Sequence, residues 1–525
     1  MTADRVLTVD LGTSGPKVAV FTLDGRYLDG DFAPVPTRLV GDLGAEQRPD
    51  DWWRGVIDAT RRLHDRSSID PAAVAAVAVT SQWSGTVPID RDGTPLHDAL
   101  IWMDARGVDA IREVVGGRVR IAGYDPRKLR AWIQRSGGAP SRAGKDPIAH
   151  IHWLERHRPD VARATWKYLE PKDWLNFRLT GRAAATFDSI TLHWVTDNRD
   201  LLRIDYDDTL LRIAGLRRDQ LPDLIGATDV LGGLTDAAAH DLGLRAGTPV
   251  IGGTPDLQSA AVGSGAVREL EGHLYVGTSA WLTCHVATKK TDLRRGIATL
   301  PSPLPGRYYV ADEQESAGAC LNWLRDHVLF PDDSLRETPV PADVFQRLDA
   351  LAEASVPGAH GVIFTPWLNG ERTPVDDHTV RGGWHNLTLA TTRADLVRSV
   401  LEGVAYNSRW LLGCVERFTG RPFPWLHFIG GGAESPLWCQ IHADVLQRPI
   451  RQVEHPIRAN ARGAALLAAI ALGAMTPDDV ARAVPIRHEY TPNPEHRATY
   501  DTLYREFRNI YTQTKGIYQR LHAHG

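Results

Sequence analysis

The chain has 525 residues, of which 43% are hydrophobic, and its 60 basic and 64 acidic residues give a net charge of −4. This length predicts two or more domains with a large buried core. The near balance of charge gives no reason to expect a nucleic acid or an anionic membrane as partner, so local groups must bind any anionic substrate.

The termini, the apolar runs and the cysteines indicate a cytoplasmic protein. Asp4 and Arg5 stand where a signal peptide would be apolar, and the longest small-apolar run, 464–474, is too short to span a bilayer. The cysteines are scattered without a C-x-x-C pair, so we expect reduced thiols, no disulfide and no zinc site. They are Cys284, Cys320, Cys414 and Cys439.

Residues 6–21 predict a strand, a glycine-containing turn and a second strand, which makes this stretch the centre of the first half of the chain. The turn has groups suited to phosphate: glycine backbone, hydroxyls and one positive charge. They are Gly12, Thr13, Ser14 and Lys17. Asp10, at the end of the first strand, is a candidate ligand for a divalent metal. A plain hairpin fits this pattern equally well.

The next elements include a candidate ligand contact. A helix is expected over 50–64, followed by strands at 74–79 and 87–89. The polar segment between the two strands, and two residues at the end of a later apolar run, are candidate ligand contacts: Gln82, Trp83, Ser84, Gly85, Trp102 and Asp104. A loop that merely joins strands explains the polar segment equally well.

Residues 112–147 are basic, and we reject two motifs that lie in this region or just after it. Residues 138–146 resemble a Walker A loop, but the glycine spacing is one residue too long and Asp146 stands where Ser or Thr would bind magnesium. His150, His152 and His157 lie on a predicted helix without an acidic partner at ligand spacing, so we interpret them as ordinary surface or half-buried histidines.

We place a domain boundary at residues 245/246, which gives an N-terminal domain 1–245, a second domain 246–485 and a helical extension 486–525. The second domain repeats the pattern of a strand, a glycine-containing turn and an acidic residue. A strand from Val250 leads to Asp256 at the start of a small-residue helix, where an N-cap is the alternative interpretation. Gly277, Thr278 and Ser279 then form a second Gly-Thr-Ser turn, and two such turns facing each other suit a triphosphate.

The rest of the chain is mainly helical. Helices are predicted over 171–179, 394–412, 461–474 and 497–522. A strand at 425–429 is followed by a glycine segment on which a flat ring could lie; its candidate residues are Gly431, Gly432, Ala433 and Ser435.

These motifs together resemble the FGGY family of carbohydrate kinases, over nearly the whole chain from Val6 to about Leu472, and the xylulokinase branch most closely. The motifs occur in the family's order: 10–14, 100–104, 169–175, 252–256, 277–279, 370–374, 401–405 and 429–433. The resemblance implies an α/β fold in which two actin-like ATPase (ribonuclease H-like) domains flank a deep cleft.

The resemblance also implies an activity: transfer of the γ-phosphate of ATP, with Mg²⁺, to a terminal hydroxyl of a small sugar or polyol. Asp256 matches the catalytic base and Asp10 the metal-site acid, while residues 12–14, Lys17 and 277–279 match the phosphate contacts and 431–433 the adenosine site. Residues 82–85, Asp104 and Asp188 match sugar contacts. A homodimer is compatible with this resemblance.

Two departures concern the sugar pocket. Xylulokinases usually have Met-His-Gly where this chain has Trp83-Ser84-Gly85, and Asn or Gln where it has Leu257. Such changes shift specificity, because each buried hydroxyl left unmatched costs about 1–3 kcal/mol. We expect a ketopentose, with xylulose first; ribulose, xylitol, erythritol and glycerol are alternatives. A non-transferring actin-fold ATPase or sugar sensor is the alternative from another class.

Overall fold

The computed structural model describes residues 3–67, 70–334 and 338–522. Its core consists of two sheets that share one topology, in which three antiparallel strands are extended by two strands parallel to the first of them. We call residues 3–263 the first lobe and residues 272–522 the second lobe. Within the described residues, no helix combines the length and the apolar character needed to cross a membrane.

The first sheet has the strand order β14-β15-β6-β1-β2-β3. Strands β1 to β3 are antiparallel, β6 and β15 run parallel to β1, and β14 is an antiparallel edge. The ranges are β1 Arg5–Gly12, β2 Gly15–Thr22, β3 Tyr27–Phe32, β6 Val74–Ser81, β14 Val230–Gly233 and β15 Pro249–Pro255.

The second sheet has the order β18-β19-β20-β17-β16-β23-β24-β25. Here β16, β17 and β20 are antiparallel, and β23 and β24 are parallel to β16. The ranges are β16 Gly272–Val276, β17 Ala280–Val286, β18 Thr291–Asp292, β19 Ile297–Pro301, β20 Tyr308–Ala311, β23 Leu426–Ile429, β24 Ile450–Val453 and β25 Ile486–Tyr490.

Short strands outside these sheets form small hairpins and ribbons. They are β4 Arg38–Val40, β5 Gly44–Gln47, β7 Val87–Ile89, β8 Ala99–Leu100, β9 Lys167–Leu169, β10 Ala184–Thr186, β11 Thr196–Asp197, β12 Asp205–Tyr206, β13 Asp223–Ile225, β21 Ile363–Thr365 and β22 Gly383–His385.

Helices cover both sheets. They are α1 Pro49–Ser67, α2 Val108–Val115, α3 Pro126–Arg135, α4 Pro147–His157, α5 Pro159–Ala164, α6 Pro171–Thr180, α7 Asp208–Ala214, α8 Asp236–Leu242, α9 Asp256–Gly263, α10 Gly318–Leu324, α11 Val344–Glu353, α12 Arg393–Thr419, α13 Pro436–Leu446, α14 Ala459–Ala471, α15 Pro477–Ala483 and α16 Arg497–His522.

Local signals fix the ends of these helices. α12 begins with a capping box formed by Thr392 and Asp395, and it ends at Gly420, which has the left-handed conformation that favours glycine. α1 has Asp50 and Asp51 in its first turn, where carboxylates stabilise the positive end of the helix dipole. The predicted helices are present: the helix predicted over 497–522 has the predicted bounds, and the ends of the others differ from the prediction by no more than seven residues.

α9 and α14 pack between the two sheets. Ala464, Ala465 and Ala468 of α14 pack on the first sheet, whereas Leu466 and Leu467 pack against strands of the second sheet. The boundary predicted at 245/246 stays a prediction. Because β15 pairs with β6 of the first sheet, we propose a boundary between residues 263 and 272 instead.

Candidate functional site

Three parallel strands of the first sheet end at the same edge. β1 leads into the turn at Gly12, β6 leads into Gln82, and β15 leads into Asp256 at the first position of α9. The carboxyl ends of parallel strands are the usual binding edge of such a sheet. The turn at residues 12–14, the candidate sugar segment at residues 82–85 and the predicted base Asp256 therefore lie at the same edge of the sheet.

The second sheet repeats this arrangement. β16 and β23 are parallel neighbours, with Tyr275 opposite Ile429. The Gly-Thr-Ser turn at 277–279 and the glycine segment that begins at Gly430 therefore lie side by side. The two predicted nucleotide motifs, residues 277–279 and the glycine segment after β23, therefore lie at the carboxyl ends of two neighbouring parallel strands.

A hydrogen-bond network holds the first turn. Thr13 Oγ1 lies 3.4 Å from Gln82 Oε1 and accepts a hydrogen bond of 2.9 Å from Trp102 Nε1. Gln47 Nε2 donates to the Thr13 carbonyl at 2.6 Å, and Gln47 Oε1 accepts from Gln82 Nε2 at 2.9 Å and from Trp52 Nε1 at 3.0 Å. Gln47 therefore ties the turn to β6 and to α1, although its sequence context gave no signal of this role.

The Asp10 carboxylate faces Lys17 across the β1–β2 hairpin. Lys17 Nζ lies 3.4 Å from Asp10 Oδ2, and the charge of Asp10, followed by that of Asp256, raises the pKa of Lys17 against the effect of burial. Asp10 Oδ1 is buried and has no hydrogen-bond partner within the described residues. An oxygen of this kind fits a hard divalent cation, whether bound directly or through its waters.

Asp256 is half-buried at the start of α9, and its Oδ1 accepts a hydrogen bond of 2.8 Å from the Leu257 N–H. Burial, followed by the negative charges of Asp10 and Glu313, raises the pKa of Asp256 to about 7, while Leu257 and Lys17 oppose this shift. A carboxylate with a pKa near neutrality is well matched to accepting a proton from an alcohol.

No motif predicted Glu313, whose negative charge contributes to the raised pKa of Asp256. Glu313 and Glu315 follow β20, and Arg372 forms ion pairs of 2.5 Å with each of them. Arg372 belongs to the 370–374 motif, whose neighbouring Glu371 is buried and hydrogen-bonded to Asn407 at 2.6 Å. The only sequence signal was the run of acidic residues after the strand, which is more often a solvated surface.

The second turn is held by backbone hydrogen bonds. Gly318 N–H donates to the Gly277 carbonyl at 2.7 Å, and Ala317 N–H donates to the Thr278 carbonyl at 2.9 Å. The Thr278 side chain is exposed, as Ser14 is in the first turn. A Cβ on Gly277 would lie 2.2 Å from the hydroxyl of Tyr275, so any larger residue here would force the Tyr275 side chain to move.

The glycine segment after β23 forms a 3₁₀ turn over Gly431–Glu434. Gly431 is exposed, and a Cβ built there would meet nothing within 4 Å, whereas Gly432 and Ala433 are buried. Ser435 Oγ accepts from the Trp438 N–H at 3.0 Å and caps α13. The backbone at Gly431 is therefore open to solvent, whereas the two residues that follow it are packed against the core.

The candidate sugar segment is tied down by its surroundings. Trp83 Nε1 donates to the Ser189 carbonyl at 2.9 Å, and Ser84 Oγ donates to the Lys145 carbonyl at 2.8 Å. Gly85 N–H donates to Glu170 Oε2 at 2.8 Å. The indole of Trp83 is half-buried, so part of its surface remains available to a ligand.

Two candidate sugar carboxylates are deeply buried. Asp104 Oδ2 accepts hydrogen bonds from the Ala45 N–H at 3.0 Å and from Arg106 Nε at 2.9 Å, and its Oδ1 accepts from the Arg106 backbone N–H at 3.0 Å, so both of its oxygens have protein donors. Asp188 accepts from Thr254 Oγ1 of β15, while its Oδ1 has no partner within the described residues. Of the two, Asp188 keeps acceptor capacity, and it lies against the strand that ends at Asp256.

The prediction of a surface or half-buried position is wrong for His150, which is fully buried. Its ring lies 3.1 Å both from Thr86 Oγ1 and from the Asp104 carbonyl, so it has a structural role. The four cysteines are free and buried. Within the described residues there is no group of three or more His, Cys, Asp or Glu side chains arranged to hold a metal.

Comparisons with known proteins decide the family. The model of the N-terminal domain of the FGGY family of carbohydrate kinases matches residues 5–263, and that of the C-terminal domain matches residues 273–472. The chain belongs to the FGGY family of carbohydrate kinases. It is therefore a phosphotransferase that acts on an alcohol group, and the family predicted from the motifs is confirmed.

Relatives of this FGGY kinase differ in the substrate that they are named for. The chain is 27% identical to a xylulose kinase of Staphylococcus epidermidis (98% of both chains) and 28% identical to an autoinducer-2 kinase of Klebsiella pneumoniae (98% of this chain, 94% of the relative). These relatives have similar identities to the chain but are named for different substrates. They therefore do not identify the substrate of this kinase.

Solved structures confirm the predicted two-domain α/β fold. A gluconate kinase from Lactobacillus acidophilus superposes with a TM-score of 0.85 at 23% identity, covering 98% of this chain and 99% of its own. A glycerol kinase of Plasmodium falciparum with ADP superposes with a TM-score of 0.80 at 18% identity, covering 96% and 97%.

Proposed function

We propose that this FGGY kinase transfers the γ-phosphoryl group of ATP to a terminal hydroxyl of a ketopentose, with xylulose as the first candidate. The observation that carries this proposal is the position of Asp256, which begins α9 at the edge shared with the Gly12 turn and has a pKa raised to about 7. The xylulose kinases among the relatives support the choice of sugar.

In the proposed reaction, Asp256 accepts the proton of the attacking hydroxyl, the hydroxyl oxygen forms the new bond to phosphorus, and ADP leaves. Phosphoryl transfer needs little covalent chemistry from the protein, so positioning and charge neutralisation account for most of the rate. Lys17 and the two Gly-Thr-Ser turns would supply donors to the phosphates. The similar glycerol kinase, whose structure was solved with ADP, supports this nucleotide assignment.

Mg²⁺ is the metal that this donor set fits. The buried, unpartnered Asp10 Oδ1 would hold it together with water and phosphate oxygens, because Mg²⁺ sites usually combine one or two carboxylates with substrate phosphates. The bound ion would neutralise charge that develops on the transferred group. A cytoplasmic location and a homodimer stay predictions.

The substrate pocket is proposed around Trp83, Ser84 and Asp188. Trp83 and Ser84 stand where xylulokinases usually have Met and His, and Leu257 stands where they have Asn or Gln. The kinases named for autoinducer-2 and gluconate make other small polyols the second candidates. Gln82, Gly85, Trp102 and Asp104 complete the proposed sugar side, with Asp104 acting from its buried position.

ADP release measured across a panel of sugars tests the proposal. We expect xylulose to give the highest kcat/KM among xylulose, ribulose, xylitol, erythritol, glycerol and gluconate, and Asp256→Asn to lose turnover while it keeps nucleotide affinity. Asp229→Asn, a change in a loop outside the proposed site, is the control. Full activity in Asp256→Asn would refute the assigned base, whereas a different preferred alcohol would refute only the sugar.

A further inference from the structure

A cavity of about 370 Å³ lies between the lobes, at a place that shares no residue with the proposed active site. α3 of the first lobe contributes Ile133, and the rest of the wall comes from the β18–β19 hairpin and from the end of α12 in the second lobe. The lining residues are Ile133, Lys290, Thr291, Asp292, Leu293, Arg295, Arg417 and Phe418.

The wall carries more positive than negative charge. Lys290, Arg295 and Arg417 face a single carboxylate, Asp292, which pairs with Arg295 at 2.6 Å. Lys290 Nζ donates to the Phe418 carbonyl and lies 5.0 Å from the centre of the Phe418 ring. The lining residues therefore leave two positive charges without a carboxylate partner among themselves.

Both guanidinium groups belong to the wall of the cavity. Arg417 Nη2 lies 3.1 Å from Cys414 Sγ. Burial raises the pKa of Cys414, and the positive charges of Arg417 and Arg295 both oppose that shift. Two like charges on the wall of one cavity repel each other, and an anion that accepts hydrogen bonds from both would remove that repulsion.

Hydrogen bonds between the two lobes lie beside the cavity. Lys289 Nζ donates to the carbonyl of Ile133 at 3.0 Å, and Thr291 Oγ1 donates to the carbonyl of Gly137. Ile133, Leu293 and Phe418 give this cavity an apolar side next to its cations. A wall with both characters fits a ligand that has a phosphate group and a small organic part.

We propose that this interlobe cavity binds the phosphate group of a small phosphate monoester or of inorganic phosphate, with Arg295 and Arg417 as the donors. The guanidinium fork suits phosphate because it can donate two parallel hydrogen bonds. Such a dianion balances the two excess positive charges of the wall.

Calorimetric titration of the whole protein tests this proposal. Saturating ADP keeps the proposed nucleotide site filled while inorganic phosphate or phenyl phosphate is added. We expect both probes to bind the wild type, and tighter binding of phenyl phosphate identifies a monoester as the ligand. Arg417→Gln should weaken both by about tenfold or more, because it removes a charge-assisted contact.

Matched variants separate this site from other effects. Asp292→Asn should tighten phosphate binding, since it removes the competing carboxylate, and Arg421→Gln, an exposed arginine outside the wall, should change nothing. Arg417→Gln should keep the wild-type melting temperature, so that a loss of binding is not a loss of fold. Equal affinities in the wild type, Arg417→Gln and Arg295→Gln, or no binding at all, would overturn the proposal.

Discussion

At the scale of single residues, the environment of the Asp256 carboxyl that suits its proposed role also carries a cost in stability. Its pKa of about 7 in the folded protein, against 3.8 as the ordinary value, means that folding favours the protonated form. A group of this kind stabilises the folded state less and less as pH rises from about 4 to 7. Groups poised for proton transfer often carry such a penalty.

We therefore expect Asp256→Asn to raise the melting temperature at pH 8, where the wild-type carboxylate is ionised. The difference between variant and wild type should shrink as the pH is lowered through 7 towards 4, because the wild-type group becomes neutral. Differential scanning calorimetry at several pH values measures this. A stabilisation that is equal at pH 4 and pH 8 would show that ionisation is not its cause.

Glu313 should tune the proton acceptor. After burial and the charge of Asp10, its negative charge contributes to the raised pKa of Asp256, so Glu313→Gln should lower that pKa. The rise of kcat/KM with pH, expected near pH 7 in the wild type, should move to lower pH. Glu495→Gln, an exposed glutamate far along the chain, serves as the control. An unmoved profile would remove Glu313 from the electrostatics of the site.

The sequence predicted the residues at strand ends and missed those that support them. Asp10 and Asp256 follow apolar runs, and that pattern predicts a position at the edge of a sheet. Gln47 reaches the Thr13 turn, and Glu313 acts on Asp256, only because elements distant in the chain pack together. A single sequence contains no pattern that predicts such pairs. The buried state of Asp104 depends on Arg106 and β5, so it could not be predicted either.

At the scale of elements, the hairpins and helices were predictable, but their assembly was not. The strand at β15 was expected, yet only its pairing with β6 assigns it to the first sheet. The basic region 112–147, for which no helix was predicted, contains the end of α2 and all of α3. Tertiary packing decides such segments, because short helices are marginal by propensity alone.

The contact between α9 and α14 makes a prediction at this scale. A Cβ on Gly463 would lie 1.9 Å from the Ser259 carbonyl oxygen, so Gly463→Ala must push the helices apart. We expect a loss of about 1–3 kcal/mol or more of unfolding free energy, together with reduced turnover, because α9 carries Asp256. Urea unfolding and ADP release measure the two effects.

Gly413→Ala in α12 is the matched control for that substitution. Its Cβ would meet only Arg417 Nη1 at 3.5 Å, so ordinary helix propensity should apply and alanine should stabilise by roughly 0.5–1 kcal/mol. Equal effects of the two substitutions would mean that the close approach of α9 and α14 has no energetic weight.

At the scale of the whole molecule, the proposed site draws on both lobes. The first lobe contributes Asp10, Asp256 and the Gly12 turn, and the second contributes the 277–279 turn and the glycine segment after β23. Because α9 and α14 lie between the two sheets, a change in the relative position of the lobes should alter the contact between these two helices. Ligands that contact both lobes should therefore couple to each other.

We expect ADP and the preferred alcohol together to raise the melting temperature by more than the sum of their separate effects. Each ligand stabilises the folded state according to its concentration relative to its Kd, and a shared arrangement of the lobes makes each ligand bind more tightly when the other is bound. Thermal shift measurements without ligand, with each ligand alone and with both provide the four values needed. The Asp256→Asn variant should keep this coupling, because the amide preserves the shape of the site while it removes the proton acceptor. Strictly additive shifts would mean that the two ligands bind to lobes that do not communicate.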